Sequence, residues 1–155
     1  MALLFEDNAL LPIGIIIGVM FYLSKQIKQD ILIVLLGLAI SLSFEFLMVQ
    51  LGWIAFKVYP YPIWFILLWS ALLLTINSSM GFLTKLPWFV SVLICTVFAP
   101  ASYWAGARFD VISIMSPVWH FWLSYGLAWA LMFNIILIIN KNIANKWYQS
   151  DRSDT

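Results

Sequence analysis

The chain alternates long apolar runs with short polar breaks, at intervals that fit a membrane. Five runs reach or approach the ~20 residues that a helix needs to cross a bilayer. The first extends from about Ala9 to Leu23 and reaches spanning length when counted from Leu3, giving residues 3–24. The others cover 31–56, 63–83, 88–107 and 117–139, separated by SKQIKQD, KVYPYP, TKLP and RFDVISIMS. The predicted fold class is therefore all-α: an integral membrane bundle of about five transmembrane helices. It forms a single domain over 1–140, followed by a polar tail, 141–155, that is expected to fray.

Small residues recur at helical spacing within these runs. They are Gly14 and Gly18 in the first, and Gly37, Ser41, Glu45 and Gly52 in the second. The third carries Ser70, Asn77, Gly81 and Thr84, and the fourth Ser91, Cys95, Ala99, Ser102 and Gly106. The fifth carries Gly126, Ala130 and Asn134. Small stripes let helix backbones approach in lipid, so these faces are predicted to point into the bundle.

Composition agrees with the pattern. Of 155 residues 64% are hydrophobic and 10% charged, where soluble domains carry about 25% charged residues. No soluble domain is expected, and a net charge of +1 implies no nucleic-acid surface. Cys95 and His120 are the only cysteine and histidine. This leaves no intrachain disulfide and no His- or Cys-rich metal site. The N-terminus lacks a basic segment and a small-residue cleavage site, so it reads as a retained span.

Charge sets the expected orientation. Lys25, Lys28, Lys85, Lys141, Lys146 and Arg152 fall on one side of the spans, and only Lys57 and Arg108 on the other. The positive-inside rule then places the C-terminus in the cytoplasm and the N-terminus, with Glu6 and Asp7, outside. Trp53, Tyr59, Tyr61, Trp64, Trp88, Trp104, Trp119 and Trp147 lie near span ends, as an aromatic belt requires.

Against this background Glu45 stands out. It is the only charged residue between Asp30 and Lys57, near the middle of the second run. An ionisable group at such depth costs roughly 3 kcal/mol or more unless compensated, which makes it a functional-site candidate. A protonated Glu both donates and accepts hydrogen bonds, which suits proton transfer; the competing role is a structural hydrogen bond between helices. Asn77, estimated slightly inward of the midplane against Glu45 slightly outward, is expected nearby, either orienting a substrate or joining helices. Pro100 frees the carbonyl of Thr96, and a kink there would open a pocket beside Ser102 and Tyr103. Arg108, Asp110 and His120 cluster near the ends of the fourth and fifth spans and could hold an anionic headgroup or serve as interfacial anchors. Trp104 precedes Arg108 by one helical turn, so a cation–π contact is expected.

Two stretches carry a resemblance. PIWFILLWSALLLTINSS (Pro62 to Ser79) and APASYWAGARFD (Ala99 to Asp110) resemble an uncharacterised family of bacterial inner-membrane proteins, domain of unknown function 2878. Its pattern reads roughly P-x-W-x-x-x-x-W…T-L-N-H-S, then G-P-x-S-Y-x-x-G-x-x-x-G. The matching positions are Pro62, Trp64, Trp69, Thr75, Asn77, Ser79, Pro100, Ser102, Tyr103 and Gly106. Glu45 falls where the family usually carries Asp, and Trp129 to Phe133 resembles its last helix. Ser78, Ala99 and Asp110 depart from the usual His, Gly and Gly. The resemblance covers about Ile31 to Asn140, with the family's first helix absent or rebuilt.

The resemblance implies no established activity. It does imply a setting beside lipid-modifying enzymes, and hence the modification or handling of membrane lipids. On that reading Glu45, Asn77 and Tyr103 are the catalytic candidates, and Ser102, Arg108 and His120 the substrate-binding ones. A small transporter using Glu45 as a proton or cation site, and a non-catalytic assembly partner, are the alternatives. Expected partners are the lipid bilayer of the bacterial inner membrane, a lipid substrate, or other membrane proteins. No cofactor can be named and no metal is indicated.

Overall fold

A computed structural model describes residues 2–153. Glu6, Asp7, Thr84, Trp147 and Arg152, named above, lie outside the residues whose side chains are described. Five helices dominate. They are α1 (Ala2–Leu23), α2 (Ile27–Gln50), α3 (Ile63–Thr75), α4 (Trp88–Arg108) and a last helix. That last helix, α5, enters over Val118–His120, passes through a π-helical segment at Phe121–Tyr125 and continues over Gly126–Ser153. Three of the helices (α2, α4 and α5) are long and apolar enough to cross a membrane. Their outward faces carry Leu35, Leu93, Leu123 and Ile138, all well exposed. An exposed apolar coat of this extent suits lipid, not water. The chain is a membrane protein of mainly helical build.

Two predicted spans end early. The second run was expected to continue to Phe56, yet α2 stops at Gln50. Gly52 adopts φ +68, a conformation that costs glycine nothing. Its N–H bonds the carbonyl of Val49, and the Trp53 N–H reaches back to Met48, closing the helix end. α4 ends the same way, with Asp110 at φ 59 and the N–H groups of Asp110 and Val111 bonded to Ala107 and Gly106. Asp tolerates this backbone better than most residues do.

Each of these stops leads into a short strand. β1 (Ile54–Phe56) and β2 (Ile112–Ile114) pair antiparallel, with Ile54 opposite Ile114 and Phe56 opposite Ile112. Both were expected to be span or loop. Ile54 and Ile112 turn inward and are buried. The small sheet therefore caps one end of the bundle, joining the α2–α3 and α4–α5 connections.

The third run was expected to span 63–83, but α3 ends at Thr75. The Thr75 hydroxyl donates to the Leu72 carbonyl, and turns follow until a 3₁₀ turn at Leu83–Lys85. Short polar side chains offer the backbone local alternatives to a helix, and Thr75, Asn77, Ser78 and Ser79 supply four within five residues. At the other end of the sequence, the tail beyond Asn140 does not fray but continues α5 through Ser153.

The small-residue faces divide. Gly37, Ser41, Ser91, Cys95, Ala99, Gly126 and Ala130 are buried, as expected. Gly14, Gly18, Gly52 and Ser102 are exposed, which corrects their placement on inward stripes. A close approach lies between α4 and α5. Pro100 cannot donate to the Thr96 carbonyl, and that carbonyl lies against Gly126, where a Cβ would stand 2.6 Å from it. α1 packs mainly on α3, and α2 packs on α3 and α5.

Candidate functional site

Glu45 is fully buried. Because α2 ends at Gln50, Glu45 sits about 8 Å from that end by the ~1.5 Å rise per residue, not near the middle of its helix. Three helices converge on its carboxyl group. From α4, the Tyr103 hydroxyl donates to one oxygen. From α5, the Tyr125 hydroxyl donates to the other at 2.9 Å. The π-helical segment ends at Tyr125, and Gly126 next to it lets α5 approach the Pro100 region of α4. Without that approach the two hydroxyls could not meet at one carboxyl group.

Aromatic rings fix this arrangement. Tyr103 and Tyr125 meet edge to face with centroids 5.0 Å apart. Phe121 stacks on Tyr125 at 4.6 Å, and Phe65 meets Tyr103 at 6.3 Å. Trp129, stacked on Trp69 at 5.4 Å, stands near enough to Glu45 and Tyr103 to interact with both. Its buried indole Nε1 nevertheless completes no hydrogen bond among the described residues. Buried donors are normally paired, so this one is ready for an acceptor.

A cleft of about 120 Å³ reaches this centre from the outer face of the bundle, bounded by Trp64, Phe65, Trp69, Ser102, Tyr103 and Trp129. Its lining is largely apolar. The cleft touches Tyr103 and Trp129 but not Glu45, which lies behind them. Tyr103 thus forms the contact between an apolar recess and a sealed carboxyl group. Such a pair can hold or pass a proton at the Tyr103 oxygen. Among the described residues no group of three or more His, Cys, Asp or Glu side chains could hold a metal ion.

Asn77 is not part of this centre, contrary to expectation. The early stop of α3 carries it toward the opposite end of α2. There its amide donates to Asp30 at 2.7 Å, and its carbonyl accepts from Asn140 at 2.7 Å and from Gln29 at 3.4 Å. Gln29 also donates to Asn140 at 3.1 Å, and the Ser24 hydroxyl donates to Asp30 at 2.5 Å. Gln29, Asp30 and Asn140 are all buried. A second buried carboxyl centre therefore exists, built from amides and a hydroxyl.

Residues 1–135 match the family model described as protein of unknown function (DUF2878). The chain belongs to this family. The matched region begins at residue 1, so it includes α1, which the resemblance read from sequence left outside. It also contains Glu45, Tyr103, Tyr125 and Trp129, and only Asn140 of the second centre falls beyond it. No curated protein and no solved structure matches the chain.

The remaining candidates of this family member are dispersed. Ser102 borders the cleft, but its hydroxyl donates to the Ala99 carbonyl at 2.7 Å. Arg108 lies 4.5 Å over the Trp104 ring, as the spacing predicted. His120 packs between Trp53 at 5.3 Å and Trp119 at 5.6 Å. Asp110 pairs with Lys57 at 3.1 Å, not with Arg108. These contacts suit interfacial anchors and do not form one headgroup site.

Sequence reasoning missed Tyr125 and Trp129 as site residues. The signal was present: Phe121, Tyr125, Trp129 and Phe133 recur every fourth residue, and all four are buried. It also missed Gln29, Asp30 and Asn140, which lie at the ends of apolar runs, where polar residues read as ordinary boundary markers.

Proposed function

We propose that this protein handles a membrane amphiphile, taking it laterally into the aromatic cleft with its polar group at Tyr103 and Trp129. The observation that carries this reading is an apolar recess that ends on Tyr103, whose hydroxyl is bonded to the buried Glu45. The apolar wall suits an acyl or isoprenoid chain. Trp129 lines the same recess, and its N–H suits an acceptor oxygen on the same molecule, such as an ester carbonyl. Glu45 then serves Tyr103 as a proton partner, and the lipid modified or carried is the substrate.

The proposal includes a setting. The chain lies in the bacterial inner membrane with five helices in the bilayer, its N-terminus outside and its C-terminus cytoplasmic. The six-to-two distribution of Lys and Arg supports that orientation. Permeation through Glu45 is less favoured, because both its oxygens are engaged and the residue has no exposed surface. A supplementary role in assembly is favoured by one feature: Gly14 and Gly18 on α1 have open space before them, room for a partner helix.

Comparative lipidomics tests the main reading. A deletion strain complemented with wild type, Glu45→Gln or Tyr103→Phe should show an altered lipid profile with both variants. Both variants should still insert into the membrane at wild-type abundance. Full complementation by Glu45→Gln would falsify the site-based reading.

A further inference from the structure

The Asp30 centre opens into a separate recess of about 430 Å³ between the end of α1, the start of α2 and the turns after α3. We propose that this recess binds a zwitterionic amine phosphate group, that of an ethanolamine-type phospholipid, independently of the Tyr103 cleft. Its lining holds the complementary charges. Asp30 offers a carboxylate whose oxygens are engaged by two neutral donors, Asn77 and Ser24. Each oxygen has a second lone pair for an ammonium N–H. Lys25, exposed on the same recess, offers a cation for the phosphate. Ser79 adds an exposed hydroxyl, which suits an ester or phosphate oxygen.

The cluster is built to stay in place. Gln29, Asn77 and Asn140 bond one another across α2, the turn after α3, and α5. Asn77 is thereby held with its amide toward Asp30. Asn77, Ser78 and Ser79 lie in the turns that follow the end of α3 at Thr75, so the segment that leaves the helix also lines the recess. Met20 and Leu74 give the recess an apolar side. A free amine phosphate has no use for that side, whereas a lipid can lay its first chain carbons there. This favours the lipid over a soluble source.

Native mass spectrometry of the full chain in detergent tests the proposal. The protein is offered phosphatidylethanolamine, phosphatidylcholine and phosphatidylglycerol with identical acyl chains. Only the first has both a phosphate and an ammonium that can donate to Asp30. Charge-assisted hydrogen bonds of this kind correspond to about a tenfold preference over the other two. Asp30→Asn should reduce that preference to near parity. Lys25→Gln, an exposed change that spares the buried network, should weaken retention of all three lipids about equally. Equal retention of the three lipids by wild type overturns the proposal. So does wild-type retention by Lys25→Gln, a result that remains decisive even if Asp30→Asn does not fold. Free phosphoethanolamine at the lipid's concentration should not displace it, and displacement would overturn the lipid source in favour of a soluble one.

Discussion

The two buried carboxyl groups of α2 solve the same problem in opposite ways. Glu45 is enclosed by rings and takes its hydrogen bonds from two phenol hydroxyls. Asp30 is enclosed by amides and a hydroxyl, at the edge of a polar recess. Glu45 has no exposed surface, so water cannot replace a hydrogen bond lost at its carboxyl group. The second can exchange a lost protein partner for solvent. Burial alone therefore does not rank the two; the supply of substitute partners does.

This comparison fails or stands on unfolding measurements in detergent. Glu45→Ala should have the largest effect, about 3–5 kcal/mol, because it strands two buried hydroxyls and leaves a cavity. Gly126→Val should cost about 2–3 kcal/mol by overpacking. Its Cβ would meet the Thr96 carbonyl and Pro100, pushing Tyr125 away from Glu45. It should therefore be far less than additive with Glu45→Gln, and additive with changes at Asp30. Full additivity with both would show that Gly126 does not serve the Glu45 centre.

Asp30→Ala should cost less, about 1–2 kcal/mol, since Asn77 and Ser24 line the recess, where water can take the place of the lost carboxyl. A loss equal to that of Glu45→Ala would erase the distinction between the centres. Lys57→Ala gives the baseline. Its pair with Asp110 is exposed, with 36% and 86% of the two side chains accessible. Its loss should shift stability by no more than about 0.5 kcal/mol. A larger loss would mean that the sheet end is held by charge and not by the buried Ile54 and Ile112.

Much of the helical build was legible because apolar runs in a membrane protein have few alternatives. The inward burial of Glu45 was legible for the same reason, and Tyr103 was reached through the stretch around Pro100. What failed was depth. The run from Ile31 to Phe56 reads as one span, since hydropathy does not register that Gly52 reverses the backbone. Ile54, Phe56, Ile112 and Ile114 are as apolar as any helix residue, so the strands they form left no trace in the pattern. Asn77 was placed beside Glu45 by counting along a helix that stops before reaching it. Asn77, which bonds Asp30, is 47 residues away in sequence, and Asn140, which bonds Asn77, is 63 residues further on; no local periodicity links them.

The shortness of α3 has a consequence for the surrounding lipid. Its 13 residues extend only about 20 Å, against a hydrocarbon thickness of about 30 Å. With α3 in the bilayer, as proposed above, the membrane beside it would thin locally or let its headgroups sink. α3 also supplies Trp64, Phe65 and Trp69 to one recess and Leu74 to the other. In the setting proposed above, the stretch of membrane most easily deformed would border both recesses, and α3 would act as a notch in the protein's perimeter.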